Sequence, residues 1–121
     1  LIDTAFVYHK RRNSISSFFQ QTYAFGAARP KLNNMYPTTA KLTYWFPSVF
    51  ILVLDLSILL LIFGIYSPIL VYGLYFSLIA LDASFRNKNN PIVSLLSVIT
   101  SLTQFLGYGL GFLEATFSSK K

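Results

Sequence analysis

The chain has 121 residues and a net charge of +6, with ten Lys and Arg against four Asp and Glu. Hydrophobic residues make up 54% and charged residues only 12%, whereas in a soluble domain roughly a quarter of residues are charged, so composition excludes an ordinary soluble domain and points to a membrane protein. The absence of Cys excludes disulfides, thiolate metal sites and a Cys nucleophile. The basic residues flank apolar runs, so anionic lipid headgroups account for them more simply than nucleic acid does.

Taken in order, Thr4–Tyr8 (TAFVY) is β-branched and aromatic and predicts a short strand. A strand this short needs partners, and these are expected upstream of Leu1. The chain does not begin with Met, and its basic cluster follows an apolar run where a signal peptide would have the reverse order. Both features read as an excerpt from the C-terminal part of a longer protein, with residues 1–12 closing an upstream α/β domain.

His9-Lys10-Arg11-Arg12 is a basic turn. His9, the only histidine, has no neighbouring carboxylate, so a metal site is not expected there. The cluster reads either as a phosphate-facing group, in which the forked guanidinium groups of Arg11 and Arg12 suit phosphate best, or as a solvated turn. Asn13 or Ser14 can cap a helix. Ile15, Phe18, Phe19, Thr22, Tyr23 and Gly26 then recur at helical spacing, which predicts an amphipathic helix over about 13–30, ending at Arg29-Pro30 because the residue before Pro avoids the α region. The helix either lies in the membrane interface or buries the same stripe in a soluble core.

A polar connector, 31–41, leads to Tyr44, Trp45, Phe46 and Pro47, the aromatic belt of a first span over about 42–63. Its twenty-odd residues, at a rise of about 1.5 Å each, match a hydrocarbon core of about 30 Å. The uncharged turn Gly64–Pro68 joins it to a second span, about 68–85, and the two read as a hairpin. Arg86–Asn90 is a polar loop, and Pro91 suits the first turn of a third apolar segment, about 91–113, followed by a tail, 114–121. Here Ser94, Ser97, Ser101 and Gln104 form a polar stripe beside a face of Thr100, Thr103, Gly107 and Gly111, and Gly107-x-x-x-Gly111 fits the small-residue pattern of close helix packing. The fold class is therefore mostly α and integral to a membrane: a short strand, an interfacial helix and two to three transmembrane helices.

The positive residues set sidedness. His9–Lys41 and Arg86/Lys88 belong on the cytoplasmic side of a multi-pass protein. A spanning third segment would place Lys120 and Lys121 outside, against that rule, whereas a re-entrant or interfacial one would keep them inside.

Asp55 lies near the middle of the first span, where a carboxylate costs about 2.5–3.5 kcal/mol on insertion scales. It marks either a proton or cation path, or a packed carboxyl facing Ser77, Thr100 or Gln104.

The run Val7-Tyr8-His9, Arg11-Arg12, Ser14, Phe18-Phe19, Gln20-Gln21, Tyr23, Phe25-Gly26 and Ala28-Arg29 resembles the end of the catalytic domain in bacterial membrane-bound family-2 glycosyltransferases. In that family a late strand enters a His/Arg turn, then an interface helix, then two or more transmembrane helices. The resemblance covers about residues 4–113, with its diagnostic part at His9–Arg29. It implies transfer of a sugar from a nucleotide-sugar to a lipid-linked or cell-envelope acceptor at the cytoplasmic (inner) membrane. It also implies a GT-A domain with an Asp-x-Asp motif, a divalent Mg or Mn ion and a carboxylate base, none of them in this chain, whose acids are Asp3, Asp55, Asp82 and Glu114. His9, Arg11, Arg12, Gln21 and Arg29 would then contact the acceptor or a diphosphate, with no catalytic residue in the chain itself. The processive members carry Gln-x-x-Arg-Trp on this helix. If Gln21 is that Gln, Ala24 and Phe25 replace the Arg and Trp, which favours a single-transfer enzyme. Two other readings stand beside this one: a small membrane subunit binding a partner through Gly107 and Gly111, and a transporter or channel segment using Asp55.

Overall fold

The computed structural model describes residues 14–118. These form α1 (Ile15–Met35), α2 (Phe46–Ile62), α3 (Ser67–Arg86) and α4 (Pro91–Ser118), with 3-10 turns at Pro37–Thr39 and Leu42–Trp45. Among the described residues there is no strand, and the Thr4–Tyr8 segment lies outside them together with His9, Arg11 and Arg12. Three helical stretches are long and apolar enough to cross a membrane: Leu42–Ile62, Ser67–Arg86 and Pro91–Ser118.

The Ser14 side chain caps α1 by accepting from the Ser17 amide at 3.2 Å. The helix does not stop at Arg29-Pro30. It carries Pro30 inside and runs to Met35, so most of the expected connector is helical. An interior proline costs about 3 kcal/mol through its lost N–H and ring clash, yet Pro30 is buried and α1 is held along its length by α4. Tertiary packing on both sides of the proline thus outweighs the local preference for a break. The buried row of α1 is also smaller than the sequence suggests: Thr22, Gly26 and Pro30 are buried, Phe18, Phe19 and Tyr23 are half-buried, and Phe25 is exposed.

The α2 helix ends in a left-handed Gly64 (φ +74°), with the Ile65 amide donating to the Leu60 carbonyl and the Gly64 amide to Leu61. This cap closes the last carbonyls of the helix and reverses the chain. The polar loop after α3 turns through Lys88 and Asn89, both at positive φ. Asn90 then caps α4, its Oδ1 accepting from the Ile92 amide at 3.0 Å, with Pro91 in the first turn. The last residues expected in the tail, 114–118, complete α4 instead.

Phe50 is the hub of the α2–α3–α4 contact. Its ring meets Tyr72 edge-on at 4.8 Å and stacks with Phe105 at 4.3 Å, while the Tyr72 hydroxyl donates to the Phe50 carbonyl at 2.8 Å. Offset and edge-on aromatic pairs add to plain burial, which matters where lipid removes most of the hydrophobic drive for helix association. The serine and threonine stripe of α4 is satisfied within its own helix: Ser94, Ser97, Thr100 and Thr103 each donate to the carbonyl four residues back.

Candidate functional site

The densest polar geometry lies where α1, the connector and the C-terminal half of α4 meet the start of α2. Three glycines of α4 make that meeting possible. A Cβ on Gly107 would fall on the Thr22 hydroxyl and within 3.0 Å of the Phe19 carbonyl oxygen. A Cβ on Gly111 would fall on the Tyr23 carbonyl oxygen and within 3.0 Å of the Ala27 amide nitrogen. Gly109 faces the other way, where a Cβ would meet the Ile51 side chain and lie 2.9 Å from the Pro47 carbonyl oxygen. Residues two apart on a helix point about 200° apart, so Gly107 and Gly111 seat α1 while Gly109 seats α2. On the α1 side Gly26 completes the contact, its Cα lying against the Tyr108 backbone. On the α2 side, the fully buried Ser48 donates to the Gly109 carbonyl at 3.2 Å.

Two polar latches flank this seat. The Tyr23 hydroxyl donates to a Glu114 carboxylate oxygen across α1 and α4. That bond, reinforced by partial desolvation, raises the pKa of the phenol above its ordinary value, because the neutral O–H is the form that donates. On the far side of α1 the Arg29 guanidinium lies flat over the Tyr44 ring, 3.6 Å from Cζ to centroid, and donates to the Thr39 carbonyl at 3.2 Å. Cation–π stacking and a planar fork suit Arg here better than Lys. Arg29 therefore ties the end of α1 to the chain entering α2. Its Nε and the Asn33 Oδ1, one turn on, are buried without a partner among the described residues. Tyr23, Ala27, Lys31, Glu114, Ala115 and Ser118 line an open cleft of about 350 Å³, of mixed polar and apolar lining, beside the first latch.

Of the residues singled out by sequence, Gln21 and Arg29 share one side of α1, about two turns apart, and Gln21 is half-buried. Gly107 and Gly111 sit against α1 of the same chain. Asp55 makes no hydrogen bond or ion pair with Ser77, Thr100, Gln104 or any other described residue: it is exposed on α2, on the side of Ser48 and Ile51 but beyond their contact with α4. The stripe of back-bonded hydroxyls on α4 gives it no polar route through the helices. His9, Arg11 and Arg12 lie outside the described residues. Sequence reasoning placed Gly26 on the packing stripe of α1, where it is buried, but missed Gly109, Ser48 and the Tyr23–Glu114 pair. A signal existed only for Gly109, in the alternate glycines of Gly107-Tyr-Gly-Leu-Gly111.

Among the described residues no three of His, Asp or Glu gather into a metal-holding group. The divalent ion implied by the glycosyltransferase resemblance has no ligand set in this part of the chain. No protein family, curated protein or solved structure matches the chain.

Proposed function

We propose that the chain is the membrane-anchoring C-terminal part of a glycosyltransferase that moves sugar from a nucleotide-sugar to a lipid-linked or cell-envelope acceptor. The observation that carries the reading is the clamped α1. This amphipathic helix, with Gln21 and Arg29 on one side, is fixed to α4 by glycine contacts and to the start of α2 by the Arg29–Tyr44 stack. A domain joined upstream of Ser14 would be held rigidly at the membrane face, and an acceptor arriving from the bilayer would pass α1 first. In this reading the catalytic carboxylates and their metal belong to the upstream domain. The chain's own residues position that domain, exclude water along the seat and contribute Gln21, with His9, Arg11 and Arg12 from the preceding turn, to acceptor or diphosphate binding. The basic residues of α1 and its connector, with Arg86 and Lys88, support a cytoplasmic position for this face at the inner membrane.

The test starts with the natural polypeptide from membranes: its intact mass and its sequence upstream of Leu1. A parent of roughly 300 residues or more with an Asp-x-Asp after a strand is expected, on the size of an added α/β domain. Sugar transfer from labelled nucleotide-sugars should then fall in Gln21→Ala and Arg12→Ala while both variants stay in the membrane fraction. A natural chain with no upstream domain would overturn the reading; wild-type transfer in both variants would overturn the residue assignment.

A further inference from the structure

We propose that the outer face of α2 around Asp55 receives a transmembrane helix of a partner protein that carries a guanidinium or ammonium group at mid-bilayer depth. Asp55 stands about 10 Å of helix rise from Ile62 and about 15 Å from Trp45, near the middle of the Leu42–Ile62 span. It is exposed, as are Leu52, Ile58, Leu59 and Ile62, which share its side of the helix at spacings of three, four and seven. The other helices leave this face free because α4 crosses α2 over Trp45–Ile51 and α3 covers a different side through Phe50. The carboxyl thus faces hydrocarbon, and no described residue of its own chain hydrogen-bonds or pairs with it.

Charge complementarity decides the occupant. Among the described residues, Arg29, Lys31, Lys41 and Lys88 lie outside the three apolar stretches, and Arg86, at the end of α3, is already paired with Asp82 at 2.8 Å. Hence no cation of the described chain lies at the depth of Asp55. A second copy, related by an axis along the membrane normal, would bring residues of equal depth together. It would offer Asp55 only another Asp55 within a frame of Leu and Ile, and like charges disfavour that pairing. From Leu52 to Ile62 this face carries no Gly, Ala or Ser for close approach of two copies, and Ser48, seven residues before Asp55, is already covered by Gly109. A basic side chain on a neighbouring apolar helix supplies the missing donor and charge, and the flanking Leu and Ile supply ordinary packing. Ionisable groups within membranes pair in this way. The proposal stands whether or not an enzyme domain precedes the chain.

The experiment uses the full chain in phosphatidylcholine vesicles. The probes are two dansyl-labelled, Trp-free transmembrane peptides, one all-Leu and one with a single central Arg. The lone tryptophan, Trp45, is the energy-transfer donor. Transfer to the Arg peptide is expected at about tenfold lower peptide density than to the all-Leu peptide, the scale of one intramembrane polar pair. Asp55→Leu and Asp55→Asn should both shrink that preference, with Asp55→Leu abolishing it. Because Asp55 is exposed, both variants should keep wild-type Trp45 emission, which reports the Trp45–Phe112 contact. Equal transfer to both peptides, or a preference that survives Asp55→Leu, overturns the proposal. So does Asp55-dependent self-association without any preference for the Arg peptide, which would make the second copy the occupant.

Discussion

Gly26 and Gly73 are both interior helix glycines, and the structure assigns opposite signs to the same substitution at each. A new Cβ on Gly73 meets nothing within 4 Å, whereas a Cβ on Gly26 falls on the Tyr108 carbonyl oxygen and within 2.9 Å of the Tyr108 Cα. Replacing Gly by Ala in a helix gains about 1 kcal/mol of propensity. At Gly73 that gain stands alone, so Gly73→Ala should be neutral or stabilising by up to about 1 kcal/mol. At Gly26 the obstacle is backbone, which cannot rotate away, so α1 and α4 must separate. A gap of 0.5–1 Å forfeits about a quarter to a half of each dispersion well along the seat, and overpacking costs about 1–3 kcal/mol at ordinary sites. Because backbone cannot give way, the upper end of that range applies, and a net destabilisation of about 2 kcal/mol is expected for Gly26→Ala after subtracting the propensity gain. The assay is SDS-induced unfolding from lipid–detergent bicelles, followed by far-UV circular dichroism and Trp45 emission. If Gly26→Ala unfolds at or above the wild-type midpoint while Gly73→Ala behaves the same, the α1–α4 seat described above is wrong.

The remaining predictions test the latches, the crossing and Asp55. Tyr23 has a phenol pKa raised by Glu114, so its contribution is present below about pH 10 and is lost as pH rises through the higher folded-state value. Wild-type protein should lose α1–α4 stability on alkaline titration more steeply than Tyr23→Phe; identical alkaline profiles would refute the latch. Arg29→Lys keeps the charge but loses the flat stack on Tyr44, a change worth about 0.5–1 kcal/mol, and hydrogen exchange should accelerate over Tyr36–Trp45 without change in α3. Ser48→Ala removes the bond to the Gly109 carbonyl and should cost about 0.6 kcal/mol, the usual size of an interhelical polar contact in membranes. Proteoliposomes should hold a pH gradient equally with wild type and Asp55→Asn; a leak abolished by Asp55→Asn would restore the transport reading.

The helical architecture was legible because its signals are long-range averages. Apolar runs of about twenty residues, the Gly64 turn and the Asn90-Pro91 start are properties of the chain alone, and three apolar helical stretches lie where those signals fall. The end of α1 was not legible, because Pro30 is a local stop signal whose cost is offset by contacts with α4, more than 80 residues further along the chain. Which small residues are buried was also hidden. Gly107 and Gly111 announce a close contact, but only the fold says that α1 fills it, leaving no free glycine face for another protein. Asp55 is the converse case. Its depth is readable by counting along α2, but whether it turns inward or outward depends on where α3 and α4 dock. Arg29 shows the same dependence, since sequence offers its guanidinium to a ligand and the fold lays it on Tyr44.

The two latches also bear on whether α4 crosses the bilayer. If α2 and α3 form a spanning hairpin, the start of α2 and the end of α3 share one membrane face. The first half of α4 returns along α3, with Ser97 beside Ala83 and Phe105 beside Tyr75. Its second half then stays beside the start of α2: Phe105 meets Phe46, Gly109 accepts from Ser48, and Phe112 meets Trp45 at 4.9 Å. No described contact carries α4 toward Ile62. Independently, α1 lies along Gly107–Glu114 and is tied by Arg29 to Tyr44, so its position is also fixed to the start of α2. α4 is one unbroken helix of 28 residues, about 40 Å of rise, so it cannot double back. Either it crosses and carries α1 and the start of α2 to the face opposite Pro91, or it lies along the interface with both ends on one face. The shared basic character of α1 and the Arg86–Lys88 loop favours the second. The chain has no native cysteine, so single-cysteine labelling is clean. Ser118→Cys and Lys88→Cys should react with an impermeant maleimide from the same side of sealed vesicles, and Ile65→Cys from the other. Labelling of Ser118→Cys together with Ile65→Cys would show that α4 crosses and that α1 is anchored differently from the arrangement argued here.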